Sequence, residues 1–230
     1  MHFVLIHSLA LGPSTWQPVS ALLRRRGHVV HVPNLVEVAV REPASAPPIA
    51  WRVAEDVHAV PGETIAIVTH SNAGLFAPAI GRAVSNASIS YVFVDASVPP
   101  SSGSTSIGAA EFLSQLRAKA KNGLLPRWTD WWDEADVASM FPPDPELREA
   151  IIREQPRLPL SRYEQTVDVP GGWDDSPCGY IYFGPPYDRP ADELAQRGWP
   201  IRHVPGLHLH MVVDPAAVTD ALEEVVTALG

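Results

Sequence analysis

Short uninterrupted apolar runs alternate along the chain with longer stretches whose apolar positions recur every three or four residues. Phe3-Val4-Leu5-Ile6, Ile65-Ala66-Ile67-Val68 and Tyr91-Val92-Phe93-Val94 have the pattern of strands buried on both faces. Val29-Val30-His31-Val32, which runs into Pro33, Gly179-Tyr180-Ile181-Tyr182-Phe183 and Ile201-Arg202-His203-Val204 bring the count to six. Trp16, Val19, Leu22 and Leu23 share one helical face that closes at Gly27, and helix-like segments cover roughly Trp51 to Ala59, Gly74 to Ser85, Ala191 to Arg197 and Pro215 to Leu229. Strands alternating with helices imply a mainly parallel six-stranded sheet with helices on both faces. Pro78 falls inside the segment that starts at Gly74, where it is expected to remove a hydrogen bond and bend the axis.

The rhythm stops in the middle. From Ala96 to about Asp175 no buried strand is legible. There is a Pro99-Pro100-Ser101-Ser102-Gly103 loop, a helix-like segment from Ala109 to Lys121, the cluster Trp128-Thr129-Asp130-Trp131-Trp132 and a second helix-like segment from Pro145 to Glu154. The 24 prolines, about twice the average share, imply short helices joined by stiff turns rather than an independent domain. At 230 residues the chain suits one well-cored domain, 1–230, with 96–175 an insertion within it.

The run Ile65–Val68 ends abruptly in Thr69-His70-Ser71-Asn72-Ala73-Gly74 and leads into a helix. A serine on a sharp strand-to-helix turn among small residues is a nucleophile elbow, which pushes the hydroxyl out of the packed sheet. The usual pattern has glycine two residues before and after the serine; Thr69 and Ala73 stand there, and Gly74 follows at once. A second chemical cluster, Pro205-Gly206-Leu207-His208-Leu209-His210-Met211, follows the last strand. Its His-x-His spacing alone would also suit a metal, but no Cys or carboxylate cluster completes a ligand set, so neither metal nor cofactor is expected.

Taken together, these motifs resemble the α/β-hydrolase superfamily over nearly the whole chain. His7-Ser8 stands where the family has a His-Gly loop, followed by Gly12-Pro13-Ser14-Thr15-Trp16; the elbow comes next, then an insertion in the position of the family's cap, then the histidine loop. The closest likeness is to small esterase-like members similar to methylesterases and hydroxynitrile lyases. The resemblance implies that Ser71 is the nucleophile, that His208, aligned on Met211 and Asp214-Pro215, is the base, and that the backbone N–H groups of Leu9 and Asn72 form the oxyanion hole. His210 is the alternative base. Most members take the acid from just after the strand preceding the histidine strand, which points to Asp188; Asp95, at the end of the Tyr91–Val94 strand, is the alternative. Ser8 carries a Cβ where the family prefers none. Candidates for substrate contact are His70, beside the nucleophile, and Trp128 and Trp131 of the insertion, unless the tryptophans only bolt its helices to the core.

The implied activity is hydrolysis of an ester, thioester or lactone of a small, mostly apolar molecule through an acyl-enzyme. Two other readings stay open: a lyase, isomerase or cyclase on the same scaffold, and a catalytically silent binding protein. A serine at the elbow weighs against alkyl-enzyme chemistry of the dehalogenase and epoxide-hydrolase kind.

The formal charge of −9 argues against nucleic acid or an anionic membrane as partner and leaves a small molecule as the expected one. Arg24-Arg25-Arg26 sits where the first helix ends, which suits the helix dipole. The single cysteine, Cys178, forbids an internal disulfide and reads as packed rather than reactive. No apolar run reaches the roughly 18 residues of a membrane span, and the first strand begins at Phe3, leaving no room ahead of it for a signal peptide. A cytoplasmic protein is the expectation.

Overall fold

The computed structural model describes residues 1–41, 46–57, 63–84 and 87–230. Its strands are β1 (His2–Ile6), β2 (Val29–His31), β3 (Thr64–Ser71), β4 (Ser88–Ala96), β5 (Gly103–Ser106), β6 (Thr166–Val169), β7 (Cys178–Tyr182) and β8 (Ile201–His203). Six of them form one sheet in the order β2-β1-β3-β4-β7-β8, with every neighbouring pair parallel. The six apolar runs of the sequence are these six strands. In the central pair, Ile65 to Val68 and Val92 to Val94 have no exposed surface, which is why they read as continuous hydrophobic runs rather than alternating ones.

The helices are α1 (Gln17–Arg25), α2 (Val36–Val40), α3 (Ala46–Asp56), α4 (Ala77–Ala83), α5 (Ala110–Lys119), α6 (Glu134–Met140), α7 (Pro145–Glu154), α8 (Ala191–Gln196), α9 (His210–Val213) and α10 (Pro215–Ala228). α1, α9 and α10 pack together, as do α3 and α4, and helices cover both faces of the sheet. At the end of α1, Arg26 pairs with Asp220, at 2.7 Å, and with Glu223 of α10, so the arginine run ties two helices together as well as facing a dipole. Cys178 is buried at the start of β7, and its thiol, pushed up to about 12 by burial, donates to the Ser176 carbonyl. No helix among the described residues is long and apolar enough to cross a membrane.

Several readings of the sequence change, among them the helix expected from Trp51, which begins at Ala46. The helix expected from Gly74 starts later: Asn72–Phe76 is a 3₁₀ turn, and Pro78 sits in the first turn of α4, where its missing N–H has no helical partner to lose. It therefore begins a helix rather than bending one. The expected ends of two helices, at Ala59 and Ser85, lie outside the described residues. Finally, the stretch after Ala96 does contain strands. β5 and β6 form an antiparallel ribbon, Gly103 opposite Val169 and Ser106 opposite Thr166. The Gly-Ser-Thr-Ser sequence of β5 is polar and largely exposed, so it carries no hydrophobic signal.

The loops that leave β1, β3, β4, β7 and β8 all emerge at the carboxyl ends of parallel strands. In open α/β sheets this is the edge where ligands bind.

Candidate active site

Ser71 ends β3 and caps the 3₁₀ turn behind it with φ 59° and ψ −133°, a conformation strained for any residue with a Cβ. The position that requires glycine is Gly74: a Cβ there would stand 2.0 Å from the Ser97 carbonyl oxygen, which follows β4. Thr69 has no positive φ, so its side chain is tolerated two residues before the serine. The elbow is intact, with its small residue moved by one position.

Ser71 Oγ lies 3.0 Å from His208 Nε2, and His208 Nδ1 lies 2.6 Å from Asp95 Oδ2. The carboxylate keeps the proton on Nδ1 and leaves Nε2 as an acceptor, so the serine hydroxyl donates to the ring. Asp95 is buried, and its second oxygen accepts the N–H of Phe183 at 2.9 Å. His208 comes from the loop between β8 and α9. His210 begins α9 and packs edge-on against Phe183 instead, away from the serine.

The structure corrects the expectation for the acid. Asp188 is exposed, and the ring of Tyr187 takes its place beside the histidine, stacked on His208 with centroids 5.1 Å apart and planes 6° apart. The loop Gly184-Pro185-Pro186-Tyr187 thus delivers an aromatic where the resemblance places a carboxylate. Asp95, the alternative, is brought in by φ 45° just where β4 ends beside Ser71. The available signal was a carboxylate ending a buried strand adjacent to the nucleophile strand.

Leu9 and Asn72 are brought together, but in an unexpected way. The Leu9 N–H donates to Asn72 Oδ1 at 3.1 Å, and the Ser8 hydroxyl donates to the same oxygen at 3.1 Å. Asn72 Nδ2 donates in turn to the Tyr163 hydroxyl at 3.2 Å. The direction of the Leu9 N–H is set from behind. The Ser8 carbonyl, in the same peptide plane, is held by His7 Nδ1 at 2.8 Å and by the Leu11 N–H at 3.0 Å, so the N–H faces the opposite way, toward the serine side. His7 Nε2 accepts the Leu35 N–H, which fixes the neutral tautomer, and burial lowers its pKa to about 4. Ser8 therefore does not disturb the loop; its hydroxyl joins the polar lining.

His70 does not contact the cavity. It is fully buried beneath the site, where Nε2–H donates to the His208 carbonyl at 2.9 Å and the two rings lie 4.5 Å apart. Burial, and secondarily the neighbouring His208, hold its pKa well below the ordinary value. It supports the histidine loop rather than touching substrate. Trp128 and Trp131 do line the cavity, and each is also packed: Trp128 stands 6.1 Å from the His208 ring, and Trp131 Nε1 donates to the Pro126 carbonyl.

The cavity above Ser71 has a volume of about 590 Å³. Phe112, Trp132 and Tyr163 continue its aromatic wall, and no Asp, Glu, Lys or Arg lines it among the described residues. Among the same residues no group of three or more His, Cys, Asp or Glu is placed to hold a metal ion.

Residues 3–221 match the model of the alpha/beta hydrolase family, and the chain belongs to that family. Solved structures share its fold over nearly their whole length. One is an extracellular alpha/beta-hydrolase from a Paenibacillus species, with TM-score 0.70, 18% identity and 98% of each chain covered. A pyrethroid hydrolase has TM-score 0.72 at 12% identity, covering 99% of this chain and 98% of the other. A methylesterase from Arabidopsis has TM-score 0.67 at 13% identity, covering 99% of each. No curated protein matches the sequence.

Proposed function

We propose that this chain is a serine ester hydrolase acting on a small, uncharged, mostly apolar ester, thioester or lactone. The observation that carries the reading is the unbroken path from Asp95 through His208 to Ser71, at 2.6 and 3.0 Å. In it, His208 Nε2 takes the Ser71 proton as Oγ attacks the carbonyl carbon, and Asp95 stabilises the imidazolium. The oxyanion is held by the N–H groups of Leu9 and Asn72, the Asn72 side chain having moved off Leu9. His208 passes the proton to the leaving oxygen and then activates water against the acyl-enzyme. A cavity of this volume, walled by aromatic rings and with no Asp, Glu, Lys or Arg in its lining among the described residues, favours a neutral molecule with an aromatic or bulky apolar body. The esterase and pyrethroid hydrolase among the fold neighbours are consistent with such a substrate class.

One observation favours a second reading, proton transfer without acylation: the Leu9 N–H is already engaged by Asn72. The test is turnover of a panel of methyl and aryl esters of aromatic acids by the wild type and Ser71→Ala. Hydrolysis lost in the variant supports acyl transfer. Turnover retained in Ser71→Ala supports the second reading.

A further inference from the structure

Tyr187 brings to Ser71 a hydroxyl that neither the elbow, the triad nor the oxyanion loop requires. Its position is fixed from three sides. The Tyr187 N–H donates to the Gly184 carbonyl at 3.0 Å, its own carbonyl accepts the Tyr180 hydroxyl at 2.7 Å, and its ring lies flat on His208. Its hydroxyl oxygen is 3.5 Å from Ser71 Oγ.

The direction of that contact follows from counting protons. His208 Nδ1 holds its proton toward Asp95, so Nε2 is the acceptor, and the serine's single proton goes to Nε2. Ser71 Oγ then has only lone pairs left for Tyr187, and the tyrosine must be the donor. Its O–H points at the reacting oxygen from the side of the site that also holds Nε2, the atom that hands a proton to the leaving group. Burial pushes this phenol up to about 12, so it keeps its proton across the neutral range.

We propose that Tyr187 is a further catalytic residue, whose hydroxyl donates a hydrogen bond to the alkoxy oxygen of the ester as the acyl C–O bond breaks. The role rests on the hydrolase reading above. When the tetrahedral intermediate collapses, the oxyanion's electron pair re-forms the carbonyl, the C–O bond breaks and its pair stays on the alkoxy oxygen. That oxygen receives the proton from His208 Nε2, while Tyr187 keeps its own proton and only stabilises the developing charge. Such a donor matters most for esters of simple alcohols, whose alkoxides are strong bases, and least for nitrophenyl esters, whose leaving groups carry the charge unaided. The structure thus assigns the site to unactivated alkyl esters.

The test is Tyr187→Phe, which keeps the ring stacked on His208 and removes only the hydroxyl. The probes are the methyl and 4-nitrophenyl esters of one aromatic acid, compared by kcat/KM so that only acylation is read, with intact mass after fluorophosphonate labelling as the check on Ser71 and His208. The expected result is a stoichiometric adduct on both proteins and a loss on the methyl ester about tenfold larger than on the nitrophenyl ester. Equal losses on the two esters, with the adduct retained, overturn the role of Tyr187 alone. A wild type that neither labels nor turns over either ester overturns the hydrolase reading, and this role falls with it.

Discussion

The backbone N–H of Leu9 and the side-chain oxygen of Asn72 are joined at 3.1 Å, so the donor that the proposed mechanism assigns to the oxyanion is satisfied by the protein's own amide. That amide carbonyl is a neutral likeness of the group the loop would hold. It also receives the Ser8 hydroxyl and is tethered through Nδ2 to Tyr163.

A substrate carbonyl must therefore displace Asn72 before it reaches Leu9. Asn72→Ala removes the competitor, and the two hydrogen bonds made to Oδ1 are worth about 0.5 to 1.5 kcal/mol each net. The expected outcome is a KM for ester substrates lower by about threefold to tenfold and a stability loss of about 1 kcal/mol, read by steady-state kinetics and urea unfolding. A raised KM would mean that the amide contacts substrate instead.

Asp95 and Asp188 separate cleanly. Asp95→Asn puts an N–H where His208 Nδ1–H needs an acceptor, favouring the wrong tautomer, and kcat is expected to fall by on the order of 10³ to 10⁴. Asp188→Asn changes an exposed side chain and should leave kcat within about twofold. The reverse order of effects would place the acid back in the loop after β7.

Gly74→Ala brings a methyl group to 2.0 Å from the Ser97 carbonyl, and neither partner is a flexible side chain. Either β4's exit or the elbow must shift. Unfolding in urea should show a loss of about 1 to 3 kcal/mol, with slower labelling of Ser71 by a fluorophosphonate. Wild-type stability and labelling in this variant would contradict the close approach.

Acid should destabilise the fold through two histidines that the interior keeps neutral. Burial lowers His7 from 6.5 to about 4, and His70 is also held well below 6.5. In that window the unfolded chain binds protons that the native state refuses, so the contribution is complete above pH 6.5 and is lost as pH falls toward 4. Both rings act in the same direction, each favouring the unfolded chain as the pH falls below 6.5. Unfolding free energies measured between pH 7 and 5 should fall, and His7→Asn should show a shallower slope. A flat profile for the wild type would show that neither ring is excluded from protonation.

The sheet was legible because its central strands are buried on both faces and leave continuous runs such as Ile65–Val68. The elbow was legible despite Thr69 and Ala73, since a strand still stops at a serine among small residues and the glycine that the close approach requires, Gly74, follows one position later. The exposed β5 ribbon was not legible: its pairing with β6 stems from backbone hydrogen bonds that a polar sequence does not announce. The position of Pro78 depended on where the 3₁₀ turn ended. The histidine's carboxylate partner was misread because Asp95 lies within a strand, β4, whereas the expected Asp188 lies in the loop after β7; that loop sets the Tyr187 ring against His208 and leaves Asp188 exposed. His70 read as a site residue from its place beside Ser71, but the strand's alternation turns it inward. The Asn72 amide was expected only as a backbone donor, and nothing in its identity reveals that its side chain reaches Leu9.

The most direct test of an activated Ser71 held by His208 and Asp95 is intact mass after exposure to a fluorophosphonate, with Ser71→Ala, His208→Ala, Asp95→Asn and Asp188→Asn alongside. The expected result is a single stoichiometric adduct on the wild type and Asp188→Asn, none on Ser71→Ala, and strongly slowed labelling of His208→Ala and Asp95→Asn. A folded wild type that stays unlabelled, or an Asp95→Asn protein that labels as fast as wild type, would contradict it.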